Sequence, residues 1–442
     1  MRTIRPYSMI RAVASVIRGE GLASALRRAN ERIGDALHSA TLRARGMFAG
    51  AAEAAILNVA ASGTSTRLGG VQTQLVARLR AERSLRNVAL LEPGVLELSA
   101  PSPHTRRMAT DLETGIREAI VITGARTVHL EGMHGVPLAG VLRLIKSGIG
   151  VIVSVHDFSL FCTRPQLIEE PMGRFCFYSQ DLDRCHRCLR QTWDVGVNTQ
   201  LDRRTLARQL LASAKGVIFP SQFLLDQHRL LFSLPKLAGE VIEPGVPAAK
   251  SPIRDGGERR VIAYAGSAKR HKGAHLLPEL ARLAGNIDLH VFGGGDEDLL
   301  RAMRGIPNIT IHGYYRSGEL PSLLARHRIG MVVLPSIWPE TYSLVLSEAW
   351  LAGAVVAAFD LGAQAERIRR EGGGWLAPLE SGASGLAEIV GEWMAGRATA
   401  TTPRAVTSPA DAARQHVDVY RKLGVLCLRT SASSADEQLV RR

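Results

Sequence analysis

In the first half of the chain, short apolar runs of strand length alternate with amphipathic stretches of helical spacing. The runs are "AILNVA", "RNVALL", "RTVHLE", "GVIVSVHD", "GVIFPS" and "GEVIEP", with segments such as "TQLVARLRAE" between them. Such alternation predicts a parallel sheet flanked by helices. A turn-rich stretch, "PGVPAAKSPIRDGGERR" from Pro244 to Arg260, interrupts the pattern. A second series then follows, through "VIAYAG", "IDLHVFGGG", "ITIHGY", "IGMVVLP" and "AVVAAF". The predicted fold class is α/β, with two Rossmann-like, doubly wound domains facing each other across a cleft. We divide the chain into a basic leader (1–54), an N-terminal domain (55–243), a linker (244–260), a C-terminal domain (261–400) and a segment (401–442) with one helix around "ADAARQHVDVYRKL" and a loose end.

The stretch "LPSIWPETYSLVLSEAWLAGAVVAAF", Leu334 to Phe359, carries two carboxylates eight positions apart, Glu340 and Glu348. The apolar run before it predicts a strand. The segment "SLVLSEAWLAG" predicts a helix that opens near Ser343 and stops before Gly353, and "AVVAAF" predicts a second, parallel strand. Glu340 then lies in a loop at a strand's carboxyl end, the edge at which open α/β sheets bind ligands. Glu348 sits little more than one turn into the helix, with its side chain leaning back toward the same crevice. The amides of Tyr342, Ser343 and Leu344 would face an anion at the helix mouth. A ligand that joins a sugar, a phosphate and a ribose would use all of these groups. Two glutamates near a helix start also serve the helix dipole, so the pair acquires meaning only together with its neighbours.

Length and composition leave room for this reading. The chain has 442 residues, 46% of them hydrophobic and 22% charged, as in ordinary soluble proteins. Charged residues interrupt every apolar region, so neither a transmembrane helix nor a secretory leader is predicted, and a cytoplasmic protein is expected. The net charge of +14 raises the question of nucleic acid. The basic residues are scattered and have neither aromatic interleaving nor zinc-finger spacing, which disfavours that partner. The leader is uneven: Met1 to Gly50 holds nine Arg against Glu20, Glu31 and Asp35. Two readings of it stay open, an amphipathic helix resting on an anionic membrane and a solvated extension.

The motifs occur in the order of a known family. The second half, with "AYAGSAKRHKGAHLL", "VFGGG" and "LPSIWPETYSLVLSEAWLAG", resembles the donor-binding half of the retaining GT-B glycosyltransferases of family 4, the glycosyl transferases group 1. The first half is similar through "TRLGGVQTQLVARLRAE", "VSVHD" and "GVIFPSQFLLDQHR" followed by "VIEPGVP", so the likeness spans roughly Ile56 to Pro378. The resemblance implies a nucleoside-diphosphate sugar as donor, a glycan or lipid-linked acceptor, and no catalytic metal. It implies that Glu340 lies near the donor sugar, that Glu348 bonds the ribose hydroxyls, and that Lys272 meets the diphosphate. His156 resembles the family's active-site histidine, with Asp157 beside it. Gly69 and Gly70 resemble its glycine loop, and Gly293 and Gly294 a turn facing the nucleotide. Ser267 stands where the family has an arginine, and Lys269 or Arg270 is the substitute within the same loop. Both Glu340 and Lys272 are expected on exposed cleft loops. Rival readings are a nucleotide-sugar epimerase of the same architecture and a non-catalytic subunit binding nucleotide sugar or polyanion. A glycosidase carboxylate pair fits the phosphate-binding context poorly.

Four of the five cysteines, Cys162, Cys176, Cys185 and Cys188, fall in a Cys-rich loop (158–192) as C-x13-C-x8-C-x2-C. In a reducing compartment this spacing reads as a structural zinc site, with His186 as a spare ligand, or as free thiols.

Overall fold

The computed structural model describes residues 56–60, 88–92, 95–98, 104–107, 112–123, 125–248, 261–285, 287–398 and 406–425. The basic leader, Gly69, Gly70, most of the linker and Cys427 lie outside these residues.

The N-terminal sheet has eight strands. Its strands, in chain order, are β1 (Ile56–Ala60), β2 (Val88–Glu92), β3 (Val95–Leu98), β4 (His104–Arg107), β5 (Thr127–Glu131) and β6 (Gly150–Ser154). A two-stranded ribbon, β7 (Ile168–Glu169) and β8 (Arg174–Phe175), stands apart, and β9 (Gly216–Phe219) and β10 (Gly239–Val241) complete the sheet. The spatial order is β10-β9-β6-β5-β1-β2-β3-β4, parallel except for β3 and β4. Those two antiparallel strands and the ribbon were not legible as apolar runs; β4, the outermost, is open on one side and need not be apolar.

The C-terminal sheet comprises β11 (Val261–Ala265), β12 (Leu289–Phe292), β13 (Ile309–Gly313), β14 (Ile329–Leu334), β15 (Val355–Phe359) and β16 (Gly374–Ala377), all parallel. Their order, β13-β12-β11-β14-β15-β16, is doubly wound and reverses between β11 and β14. Such a switch point opens a crevice at the strands' carboxyl ends. Both faces of the sheet are covered. On β11, Ile262 and Tyr264 enter one core cluster while Ala263 and Ala265 enter another, and Met331 and Val333 alternate with Val332 and Leu334 on β14 in the same way. Each of the buried Ile, Val, Leu and Met side chains among these contributes about 1.5–3 kcal/mol of burial free energy.

The last helix, Pro409–Lys422, begins at Ser408, whose hydroxyl accepts from Asp411 N, and proline occupies its first turn. It returns to the N-terminal domain. Ala412, Val417, Val419 and Tyr420 pack with Ile56, Ile152, Ile218 and Ile242 over one face of the first sheet. Among the described residues, no helix is long and apolar enough to cross a membrane.

Candidate active site

The two domains meet over a cleft of about 520 Å³, a size suited to a small-molecule ligand. The carboxyl ends of β11 and β14 supply Gly266, Ser267, Pro335 and Ser336 to its wall, at the switch point. The linker's first residues line it too, through Pro244, Val246 and Pro247.

Glu340 follows β14 in the loop that leads to the helix Leu344–Leu351. It is buried, not on an exposed loop as expected from sequence, because the opposite domain closes over it. Three donors converge on its Oε1: Lys272 Nζ at 2.6 Å, Ser336 Oγ at 2.8 Å and Trp338 Nε1 at 2.9 Å. Burial pushes the carboxyl's pKa up, but the Lys272 charge and these hydrogen bonds outweigh it and hold the group below its ordinary range. Trp338 carries the loop across the interface, since its ring joins the hydrophobic core of the N-terminal domain.

Glu348 also lines the cleft, one turn into the helix. It has no hydrogen-bond or ion-pair partner among the described residues, and burial raises its pKa to about 7. Between the two carboxylates, Tyr342, Ser343 and Leu344 line the cleft at the helix mouth. Ser343 sits in the left-handed region (φ 69) and makes no side-chain cap. Such a conformation costs a serine on the order of 1 kcal/mol or more and persists only where neighbours impose it. Arg367, only 2% exposed, imposes it here: Nη1 donates to Tyr342 O and Ser343 O, each at 3.1 Å, and Nη2 to Ser347 Oγ at 2.7 Å. The guanidinium also lies 4.0 Å from the centre of the Tyr342 ring.

The N-terminal domain contributes His156, just after β6. Its Nε2 is buried without a hydrogen-bond partner and lies 3.8 Å from Glu131 Oε2, at the end of β5. Thr341 Oγ1 donates to His156 O at 2.7 Å, and Ser221 Oγ donates to Thr341 O at 2.8 Å, so the loop carrying Glu340 is hydrogen-bonded to the facing domain.

Lys272, Glu340, Glu348, His156 and the residues of the helix mouth thus share one cleft. Other sequence candidates lie elsewhere. Asp157 caps a local turn by accepting from Ser159 N at 2.8 Å and does not line the cleft. Lys269 pairs with Asp296 at 3.4 Å, and Arg270 lies against Gly173 of the ribbon, so neither replaces the arginine missing at Ser267. Lys272 is the only lysine or arginine among the described residues lining the cleft. Gly293 and Gly294 do not line it either. Gly293 (φ 132) lets its backbone meet Gly266, where a Cβ would fall 1.9 Å from Gly266 O. Sequence reasoning missed Ser336, Trp338, Glu131 and Arg367. The first two stand four and two positions before Glu340, within the stretch already singled out, and Glu131 ends a buried strand, a position that itself signals function.

Residues 259–395 match the family described as glycosyl transferases group 1. No curated protein matches the chain. Solved structures that resemble it include the following three. Sucrose-phosphate synthase from Thermosynechococcus elongatus has a TM-score of 0.58 at 16% identity, over 83% of this chain and 99% of its own. Anabaena HepE in complex with UDP has 0.54 at 15%, over 84% and 100%. The catalytic domain of starch synthase IV from Arabidopsis thaliana, bound to ADP and acarbose, has 0.53 at 12%, over 83% and 99%. At these identities the likeness concerns the fold, two facing Rossmann-like domains. The second domain of this chain is therefore a glycosyl transferases group 1 domain, set in a molecule of GT-B fold.

Proposed function

We propose that the protein is a retaining, family 4-like glycosyltransferase that moves a sugar from a nucleoside-diphosphate sugar to a glycan or lipid-linked acceptor. The observation that carries this reading is the arrangement within one interdomain cleft. A lysine paired with a glutamate held below its ordinary pKa range, a helix mouth and a partnerless buried carboxyl all line it. Two structures of similar fold hold UDP or ADP, which supports the donor class.

In this reading Glu348 accepts from the ribose hydroxyls, Lys272 and the amides of residues 342–344 meet the diphosphate, and Glu340 and His156 face the sugar. As the bond from the anomeric carbon to the phosphate oxygen breaks, negative charge grows on the β-phosphate and positive charge on the sugar ring. Lys272 and the preorganised amides stabilise the former. Glu340, kept ionised by its three donors, lies on the side of the latter. Retention follows if the acceptor hydroxyl attacks from the face the phosphate leaves, the phosphate oxygen taking its proton. The Arg-rich leader supports an acceptor at an anionic membrane surface on the cytoplasmic side, as in cell-surface polysaccharide or glycolipid synthesis.

The test is hydrolysis of a panel of nucleotide sugars, followed by Lys272→Ala and Glu340→Gln with thermal melts of each. One donor is expected to turn over, with the anomeric configuration of the released sugar retained, and each variant should lose about 10²-fold or more in rate. Because Glu340 is buried, some loss of stability is expected as well, and a folded but inactive variant separates the two effects. Undiminished turnover in both variants, or an epimerised sugar as the main product, would overturn the reading.

A further inference from the structure

The ribbon β7–β8 and the helix Leu182–Arg190 form a small lobe after His156 that the proposed transfer does not use. Cys162 precedes the ribbon, Cys176 directly follows it, and Cys185 and Cys188 stand one turn apart on the helix. All four thiols, none of them in a disulfide, line one small cavity.

Each sulfur also faces hydrogen-bond donors. Cys162 Sγ accepts from Arg164 N at 3.4 Å and Gln200 Nε2 at 3.0 Å, Cys188 Sγ from Glu170 N at 3.2 Å, and Cys185 Sγ from Arg204 Nη2 at 3.4 Å. The backbone of Tyr178 and Ser179 hydrogen-bonds Cys176. That turn holds Phe177 and Tyr178 both in the left-handed region, at φ 53 and 55. Cys185 and Cys188 also donate as thiols to Ser179 O at 3.6 Å and Ile168 O at 3.9 Å, but a neutral thiol is a weak acceptor, and N–H donors on all four sulfurs are more than thiols alone need. Around thiolates they are the hydrogen bonds that orient metal ligands.

We infer that Cys162, Cys176, Cys185 and Cys188 bind one structural zinc ion, as a closed four-thiolate site. Binding exchanges the four thiol protons for the ion, leaving a net charge of −2 that Arg204 and the nearby guanidiniums offset. No three of the four sulfurs lie within 4.8 Å of one another, so the ion would have to draw them inward to reach tetrahedral spacing. His186 does not line the cavity and is not a ligand. The site lies beside the proposed donor loop: the backbone of Gly173, in the ribbon's turn, lies against Arg270, two residues before Lys272, so close that a Cβ there would fall 2.8 Å from Arg270 Nε. The ion thus braces one wall next to the cleft without entering it.

A second donor set defines the control. His290, His312 and His327 are the one trio of metal-capable residues described whose donor atoms all lie within 4.8 Å of one another. It has an internal explanation, since His290 Nδ1 and His312 Nε2 already share a hydrogen bond at 3.0 Å and His312 stacks on Phe292.

The experiment uses the full chain purified without added metal. Metal content is measured by mass spectrometry, and an organomercurial titration follows zinc release and thiol exposure together on the wild type. One zinc per chain is expected, released in step with four thiols. Zinc should be lost in Cys185→Ser/Cys188→Ser and in the milder Cys176→Ser, and kept in His290→Ala/His312→Ala. A wild type without zinc whose four thiols titrate freely in the native state would overturn the inference. So would zinc lost with the histidines and kept without the cysteines. The titration needs no variant, so a cysteine variant that fails to fold leaves the test intact.

Discussion

Glu348 combines burial with the absence of a partner, and the two together set a testable pH dependence. Its pKa is raised from the ordinary 4.5 to about 7 by burial. An acid whose folded-state pKa exceeds its unfolded one favours the fold most below the unfolded value. That contribution is lost as pH climbs from about 4.5 through 7. Glu348→Gln should therefore stabilise the ligand-free protein by about 2–3 kcal/mol at pH 8 and by little at pH 5, which urea denaturation at both pH values would show. The same substitution should weaken nucleotide binding about ten-fold or more and flatten its pH dependence, since a hydrogen bond to a charged acceptor is worth about 1.5–3 kcal/mol. A variant that gains stability and keeps full affinity would remove the residue from the nucleotide site. From sequence the glutamate was visible as half of a spaced pair. Its shifted acidity was not, because burial arises from chain segments distant in sequence.

At the level of elements, the helix Leu344–Leu351 can present its N-terminus only if the loop before it keeps a left-handed serine. Arg367, from the following helix Gly362–Glu371, supplies that restraint through three hydrogen bonds and the face of Tyr342. Lysine has no planar fork and cannot reach all three acceptors. Arg367→Lys is therefore expected to reduce nucleotide affinity by about ten-fold or more, with buried acceptors left unpaired at about 1–3 kcal/mol of stability. Calorimetric titration with UDP and ADP, beside a thermal melt, checks both. Unchanged affinity in a destabilised variant would assign the arginine to stability alone. The helix itself was predicted within a residue or two from its apolar spacing and terminal glycine. Arg367 reads in sequence as one of several basic residues in "AERIRREGGG", and nothing local distinguishes it.

For the whole molecule, the C-terminal helix ties the ends of the described chain together. Tyr420 is fully buried, and its hydroxyl bonds His129 Nδ1 at 2.6 Å and Asn58 Oδ1 at 3.4 Å. His129 in turn lies 3.3 Å from Glu131, the carboxylate behind His156, so a buried polar chain runs from the last helix to the cleft. Tyr420→Phe should cost about 1–3 kcal/mol, the penalty for buried partners left short of a hydrogen bond. Truncation before Ser408 should bare Ile56, Ile152, Ile218 and Ile242 and cause aggregation. Chemical denaturation of the first and light scattering of the second are the measurements. A soluble, fully stable truncation would show that the helix is not part of the N-terminal core.

Local pattern was enough for the alternation of strands and helices, the break into two series, and the strand-loop-helix unit carrying Glu340 and Glu348. Each of these depends on periodicity and turn residues within a few positions. Lys272 and His156 were singled out by the family resemblance, not by local pattern. Tertiary structure alone decided which basic residue faces the cleft. Lys269, Arg270 and Lys272 share one loop, and only their partners Asp296, Gly173 and Glu340, each brought from another part of the chain, separate them. The gathering of four cysteines around one cavity and the return of the last helix to the first domain were settled at the same level. Burial, charge pairing and close backbone approach are properties of packed surfaces, and a linear pattern constrains them only after the chain has brought those surfaces together.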